Sequence, residues 1–154
     1  MTRASPSRLN LIAPDLELAV DGHNAQACAQ LAVVKALAAN PNSDADVLGA
    51  LAAIQRGDWA GARSFRAAVV AIADRLDDQY LSEYEAAGDS NTTEVLGSFA
   101  RARALASLAT SLETDEELAA KEALYEAHAS LPDSISDDLL QDARDLIKLR
   151  RVEA

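Results

Sequence analysis

The side chains that could do chemistry in this chain are two histidines, one cysteine and several acidic runs. His23 follows Asp21 in a glycine-containing segment, a spacing more typical of a turn than of a pair of metal ligands. His128 lies in a predicted helix, and a di-metal site of the helical-bundle kind would need a glutamate where Tyr125 stands. We therefore predict that neither histidine binds a metal.

The acidic runs could bind a hard cation through their carboxylate oxygens. They are Asp77–Asp78, Asp115–Glu117 and Asp137–Asp138. Two of them stand at predicted helix starts, where the positive end of the helix dipole stabilises a carboxylate without any ion. Because the dipole already explains these carboxylates, we predict no metal site in them.

The usual sequence signatures of catalysis are missing. The chain has no Gly-rich phosphate loop, no Gly-x-Ser-x-Gly elbow and no His-Glu-x-x-His motif. Cys28 lies between two alanines, with no basic neighbour to stabilise a thiolate, so we interpret it as a small buried side chain. We expect a protein that is not an enzyme, with no catalytic residues and no cofactor.

Composition narrows the class of protein further. A chain of 154 residues with 49% hydrophobic and 25% charged residues predicts one folded domain. Aromatic residues make up only 4%, and alanine is the commonest residue, so we expect a helical core of small and aliphatic side chains. The net charge of -11 argues against nucleic acid as a partner. The acidity is explained either by solvation of the surface or by a basic partner protein.

The compartment is predicted from features that the sequence lacks. No apolar run approaches the roughly 18 residues that a membrane span requires. The first residues have no apolar signal segment, and a single cysteine suits a reducing compartment. We therefore expect a cytoplasmic protein that does not bind membranes.

Helical periodicity and helix-ending residues divide the chain into about six helices without strands. Residues 1–14 are expected to form a flexible tail, and residues 15–154 a single all-α domain. Pro14 suits the first turn of a helix, before a break at Asp21–Gly22. The six helices are predicted to run from Asn24 to Asn40, from an N-cap at Ser43 to Gly57, from Trp59 to about Ala87, from Thr92 or Asn91 to Leu112, from a capping box at Thr114 to Leu131, and from an N-cap at Ser136 to Arg151.

A short repeat marks two of these helices. Val47-Leu48-Gly49 opens the second predicted helix, and Val95-Leu96-Gly97 opens the fourth. A glycine inside a helix costs about 1 kcal/mol relative to alanine. We therefore predict that a neighbouring helix approaches closely at both glycines.

Three segments share a pattern of alanines and large apolar residues. They are Gly57-Asp58-Trp59 with Ala62, Phe65 and Ala68; Ala29, Val33, Ala36 and Leu37 with Pro41; and Ala120, Leu124 and Ala127 with Pro132. This pattern resembles the turn and second helix of tetratricopeptide (TPR) repeats, although Phe65 comes one residue early. The resemblance implies antiparallel hairpins in a short TPR-like solenoid over residues 25–132, with a capping helix over residues 137–151. The alternative is an irregular helical bundle. In size and layout the chain is also similar to the TPR-type chaperones of type III secretion.

A TPR-like solenoid implies a concave groove that binds a peptide or a partner helix. The residues predicted to bind the partner are Leu48, Ala52, Gln55, Trp59, Ser98, Ala102 and Leu105. Trp59 has a second interpretation, which we favour, as a staple that holds its hairpin together. We expect an adaptor or chaperone that binds another protein. The alternative is an acidic, immunity-like inhibitor of a basic partner, and self-association through spare apolar stripes stays open.

Overall fold

The structure is a computed structural model that describes residues 5–88 and 92–153; residues 1–4 of the expected tail and Asn91, the second cap candidate of the fourth helix, lie outside them. Within these ranges the chain is all-α, as expected, and contains no strand. Over the described residues a 3₁₀ turn precedes eight α-helices, where we expected about six. The 3₁₀ turn is Arg8–Leu11, and the helices are α1 (Pro14–Ala19), α2 (Ala25–Ala39), α3 (Ala45–Gln55), α4 (Trp59–Arg63), α5 (Arg66–Ala87), α6 (Thr93–Ser111), α7 (Glu116–Ser130) and α8 (Asp133–Glu153).

Two local features raise the number of helices. The short helix α1 begins at Pro14 and is separated from α2 at Asp21, and both features were predicted. The predicted third helix is interrupted between Arg63 and Arg66. There the amides of Ser64 and Phe65 bond to the carbonyl groups three residues before them, which tightens the backbone into a 3₁₀ turn.

Several helices begin at a neighbour of the predicted residue. Asp44, not Ser43, caps α3 by accepting a hydrogen bond from the amide of Asp46 at 2.9 Å. Asp115, not Thr114, caps α7 in the same way. A carboxylate is as good a cap as a hydroxyl and also interacts favourably with the helix dipole. Ser136 lies inside α8, which begins directly after the proline at its N-terminus.

Helix α2 lies at the centre of the packing. It contacts α3, α6, α7 and α8, while α5 packs against α6 and α3. Contacts of α2 with α7 join segments far apart in the chain, as in the hydrogen bond from Asn40 Nδ2 to the carbonyl oxygen of Ser130 at 3.1 Å. Helix α5 packs on α6 and α3, whereas α8 packs on α7, α2 and α1, so the two helices lie at different edges of this arrangement.

Small residues form most of the central interface. The buried positions of α2 are Ala25, Cys28, Ala29, Ala32, Val33, Ala36 and Leu37. The larger Leu31 and Val34 are only partly buried. Alanines allow α6 and α7 to approach closely, and this interface leaves the Leu31 face of α2 uncovered. Cys28 is fully buried, and burial raises the pKa of its thiol to about 11, in agreement with an unreactive side chain.

The segment from Ser7 to Ala13, expected to belong to a flexible tail, packs on α1 and α7. Leu9 is fully buried in the core. The backbone amide of Ser7 donates to the Glu17 carboxylate at 3.0 Å, and its hydroxyl donates to the other oxygen. Although burial alone would raise the pKa of Glu17, the hydrogen bonds from Ser7 lower it. Leu9 is therefore the main apolar anchor, whereas Leu11 points to solvent.

The two repeat glycines differ in their surroundings. A Cβ atom on Gly49 would lie 2.7 Å from Cζ of Phe65, so the ring just before α5 occupies the space of a side chain. A Cβ atom on Gly97 would meet only the Arg101 guanidinium of its own helix, at 3.3 Å. The predicted close approach is confirmed at Gly49, and it is wrong at Gly97.

We expect opposite effects of alanine at these glycines. Gly49→Ala is expected to lower the free energy of unfolding by about 1 kcal/mol, because overpacking against Phe65 exceeds the gain in helix propensity. Gly97→Ala is expected to raise it by up to about 1 kcal/mol, because only propensity changes. Urea unfolding followed by circular dichroism measures both values. A gain of stability in Gly49→Ala would contradict the tight contact.

Candidate functional site

An open apolar depression lies between α2 and α8, and we call it the α2–α8 groove. Its volume is 560 Å³. Apolar side chains form its floor and polar side chains its rim. The groove is lined by Ala27, Gln30, Leu31, Val34, Lys35, Asp142, Asp145, Leu146 and Leu149.

The two helices that form the groove are held by the core on their other faces. Helix α8 buries the side of Leu139, Ala143 and Ile147, which turns Leu146 and Leu149 towards α2. An ion pair between Lys35 Nζ and Asp142 Oδ2, at 3.0 Å, joins the helices at one end of the groove. Leu149 remains 62% exposed, so nothing within the described residues covers the other end.

The rim of the α2–α8 groove carries a small excess of negative charge. Lys35 is compensated by Asp142, and Asp145 forms no ion pair within the described part of the chain. The Asp145 carboxylate instead accepts a hydrogen bond from the amide group of Gln141 at 3.0 Å. A partner that places an apolar side chain on the floor would therefore bind more tightly if it also placed a cationic side chain near Asp145.

A second depression lies on the opposite side of α8, against α1, and we call it the α1–α8 groove. Its volume is 530 Å³. It is lined by Asp15, Leu16, Leu18, Ala19, Arg144, Ile147, Lys148 and Arg151. Nε of Arg144 donates to Asp15 Oδ2 at 2.7 Å, and this bond lowers the pKa of Asp15 and raises that of Arg144. Because Arg144 and Asp15 compensate each other, Lys148 and Arg151 leave this groove with a positive rim.

The structure does not bring the predicted binding residues onto one surface. On α3, Leu48 is 50% exposed, Gln55 is exposed and Ala52 is partly buried. The other predicted residues are buried, and they are Trp59, Ser98, Ala102 and Leu105. A buried side chain does not contact a partner unless the helices separate, so a groove shared by all these residues is not formed.

Packing of α6 explains this outcome. Most of the predicted binding residues lie on α3 and α6, which would have to be neighbours to line one concave face, but α5 packs against both of them. Helix α6 is covered by α5, α7 and α2, which buries Ala102 and Leu105. The hydroxyl of Ser98 donates to the Glu83 carboxylate of α5 and so serves the helix pair. The binding role of Leu48 and Gln55 stays a prediction.

The residues of the α2–α8 groove were missed because helical periodicity was interpreted as burial. Leu31 and Val34 recur near the helical period of α2, and such a stripe of apolar residues normally indicates a buried face. The available signal was the second stripe of α2, made of alanines such as Ala29 and Ala36, which can itself form a close helix interface. When one of two such stripes packs in the core, the other stripe is left open and can contact a partner.

The described residues bring together no group of three or more histidine, cysteine or acidic side chains that could hold a metal ion. Among the described helices, none has the length and apolar character needed to cross a membrane. No family model, no curated protein and no solved structure matches this chain.

Proposed function

We propose that this protein is a non-enzymatic interaction protein, an adaptor or chaperone, that binds an amphipathic helix of another protein in the α2–α8 groove. The observation that carries the proposal is the open apolar floor formed by Leu31, Val34, Leu146 and Leu149. Two helices already provide the walls, and a third helix laid between them would bury this floor.

The length of the groove defines the partner segment. From Ala27 to Lys35 the α2 wall is about 12 Å long, at about 1.5 Å per residue, which equals about two helical turns. A partner helix of this length presents apolar side chains at positions i, i+3 or i+4, and i+7. We expect these side chains to be Leu, Ile, Val or Met, because the floor is aliphatic, with a Lys or Arg next to Asp145.

Charge variants of the floor test the proposal. We expect Leu31→Glu with Leu149→Glu to reduce capture of the partner from an extract of the source cells by at least tenfold, roughly the loss of one binding hot spot. Leu48→Glu is the control for a charge placed elsewhere, since Leu48 is exposed on α3, outside the α2–α8 groove. Quantitative mass spectrometry of the captured proteins measures the change, and circular dichroism checks the fold of each variant.

The outcome of this experiment distinguishes two surfaces. Retention of every partner by the Leu31/Leu149 variant would refute the groove. Loss of the same partner in Leu48→Glu would instead move the binding site to α3, where the sequence predicted it. Identical losses in both variants would indicate an effect of charge on the whole protein.

The proposal keeps the TPR-like arrangement for one hairpin only. We infer that the likeness is confined to the hairpin of α3 and α4. Gly57 adopts a φ of +75° at the turn, the Asp58 carboxylate caps α4 through the amide of Gly61, and Trp59 is buried, which supports the assignment. The contacts of α2 with both α6 and α7 favour the bundle for the rest of the chain, since solenoid repeats contact only their neighbours.

A second candidate function is inhibition of a basic partner protein by the acidic surface. The net charge of -11 favours it. Binding of this kind weakens steeply between about 0.05 and 0.5 M salt, whereas burial of an apolar helix is nearly independent of salt. Measuring the affinity for the captured partner across this range decides between the two functions.

A further inference from the structure

Two surfaces at different edges of the molecule have complementary chemistry. The first is the α1–α8 groove. Its outer wall carries Leu18, which is 82% exposed, and its rim carries Lys148 and Arg151. On a chain with a net charge of -11, an exposed leucine beside two cations without a compensating acid in the groove is an unusual combination.

The second surface lies on the C-terminal half of α5. Leu81 is 52% exposed and Tyr84 is also exposed. Asp74, Asp78 and Glu85 are exposed, and their spacings of seven, three and four residues from Leu81 place them on the same side of the helix. We call these residues, Asp74, Asp78, Leu81, Tyr84 and Glu85, the acidic α5 edge.

The opposite face of α5 packs against α6 and supports the acidic α5 edge. The ring of Tyr80 packs against Phe99 of α6, with centroids 5.3 Å apart, and against Tyr84 at 6.1 Å. The neighbouring Asp77 carboxylate pairs with Arg103 of α6, so it is not part of the free acidic surface. Leu81 and its acidic neighbours are thus presented on a supported helix.

We propose that the acidic α5 edge of one copy of this chain docks in the α1–α8 groove of a second copy. Leu81 and Tyr84 would cover Leu18, while Asp78 and Glu85 would approach Lys148 and Arg151. The groove rim is positive and the α5 edge is negative in the same chain, and this complementarity identifies a second copy as the occupant of the groove. Helix α5 packs on α6 and α3, whereas α8 packs on α7, α2 and α1, so the two surfaces face away from each other within one molecule. The contact is therefore head-to-tail and produces a ring or an open chain.

This association is independent of partner binding in the α2–α8 groove. It uses the other side of α8 and the acidic α5 edge, so Leu31→Glu with Leu149→Glu leaves it unchanged. Because few side chains are involved, we expect a weak contact that is visible at high protein concentration. Failure of the partner experiment and failure of self-association are therefore distinguishable.

Sedimentation velocity tests the proposal on the full chain. At low salt we expect the weight-average sedimentation coefficient to rise above that of the 16.3 kDa monomer between about 20 µM and 1 mM protein. We expect salt of about 0.5 M to reverse most of this rise, because exposed charges are screened. A sedimentation coefficient that stays at the monomer value throughout would overturn the proposal.

Charge exchange identifies the two surfaces. We expect Lys148→Glu with Arg151→Glu to remain monomeric, and Asp78→Lys with Glu85→Lys to do the same. Mixed in equal amounts, the two variants are expected to associate again, because each then supplies the charge that the other lacks. A mixture that stays monomeric would contradict the pairing.

The matched control changes the net charge equally at other sites. Arg56→Glu with Arg66→Glu alters two exposed arginines outside the α1–α8 groove and the acidic α5 edge. We expect this variant to associate like the wild type. If it also stays monomeric, the effect of Lys148→Glu with Arg151→Glu is one of total charge, and the proposed contact is wrong.

Discussion

Glu126→Ala is expected to lower the free energy of unfolding by about 3 kcal/mol. The side chain of Glu126 is 3% exposed and holds two arginines, with Oε1 2.7 Å from Arg8 and Oε2 2.8 Å from Arg103. Removal of the carboxylate breaks two buried charge-assisted hydrogen bonds, which contribute about 1.5 to 3 kcal/mol each, while Arg8 keeps Glu122 and Arg103 keeps Asp77. Urea unfolding of purified variants measures the effect.

The matched control for Glu126 lies on the same helix. Glu117 pairs with Lys121 at 3.1 Å but is half exposed, so Glu117→Ala is expected to change stability by less than about 0.5 kcal/mol. Equal losses in the two variants would show that burial does not distinguish these carboxylates. Because Arg8 also pairs with Glu122 at 2.6 Å, hydrogen exchange of residues 7–13 separates loosening of this segment from destabilisation of the whole fold.

Trp59→Ala is expected to lower the free energy of unfolding by about 4 kcal/mol. Trp59 is buried at the start of α4 and borders a small internal gap together with Ala25 and Ala29 of α2 and Ser111 of α6. Loss of the indole removes its apolar burial and leaves a cavity between three helices that cannot close without moving the backbone.

Trp59→Phe distinguishes the loss of packing from the loss of any aromatic group. We expect it to cost about half as much, since most of the ring area is retained. Leu48→Ala serves as the control on an exposed residue and is expected to cost less than about 0.5 kcal/mol. If Trp59→Ala unfolds with wild-type stability, the indole contributes nothing to the hairpin, and its alternative interpretation as an interface residue regains support.

Much of the local structure followed from short-range signals. The helix ends at Asn40 and Gly57 were predicted, and Trp59 is buried, as its interpretation as a staple expects. These features depend on neighbouring residues alone, because a proline, a capping side chain or a glycine with positive φ acts within one turn. The sequence did not determine which residue caps a helix where two adjacent polar residues can each fill the position, as at Ser43 and Asp44.

The binding surface could not be obtained in this way. Ser98, Ala102 and Leu105 have a helical spacing that predicts one face, but α6 is covered on several faces. Glu126 stands beside the alanine stripe of α7, and no local signal indicates that Arg8, over a hundred residues away, pairs with it. Which stripe becomes core depends on which helices arrive next to it.

By itself, the sequence determined that this chain is helical, where most helices end, and that no known catalytic motif is present. Those properties arise from propensity, capping and residue chemistry, which operate within a few residues. Only the tertiary structure decided that the alanines of α2 face α6 and α7 while Leu31 and Val34 line an open groove. Burial is a property of neighbouring helices, and the sequence of one helix specifies its apolar stripes but not which of them is covered.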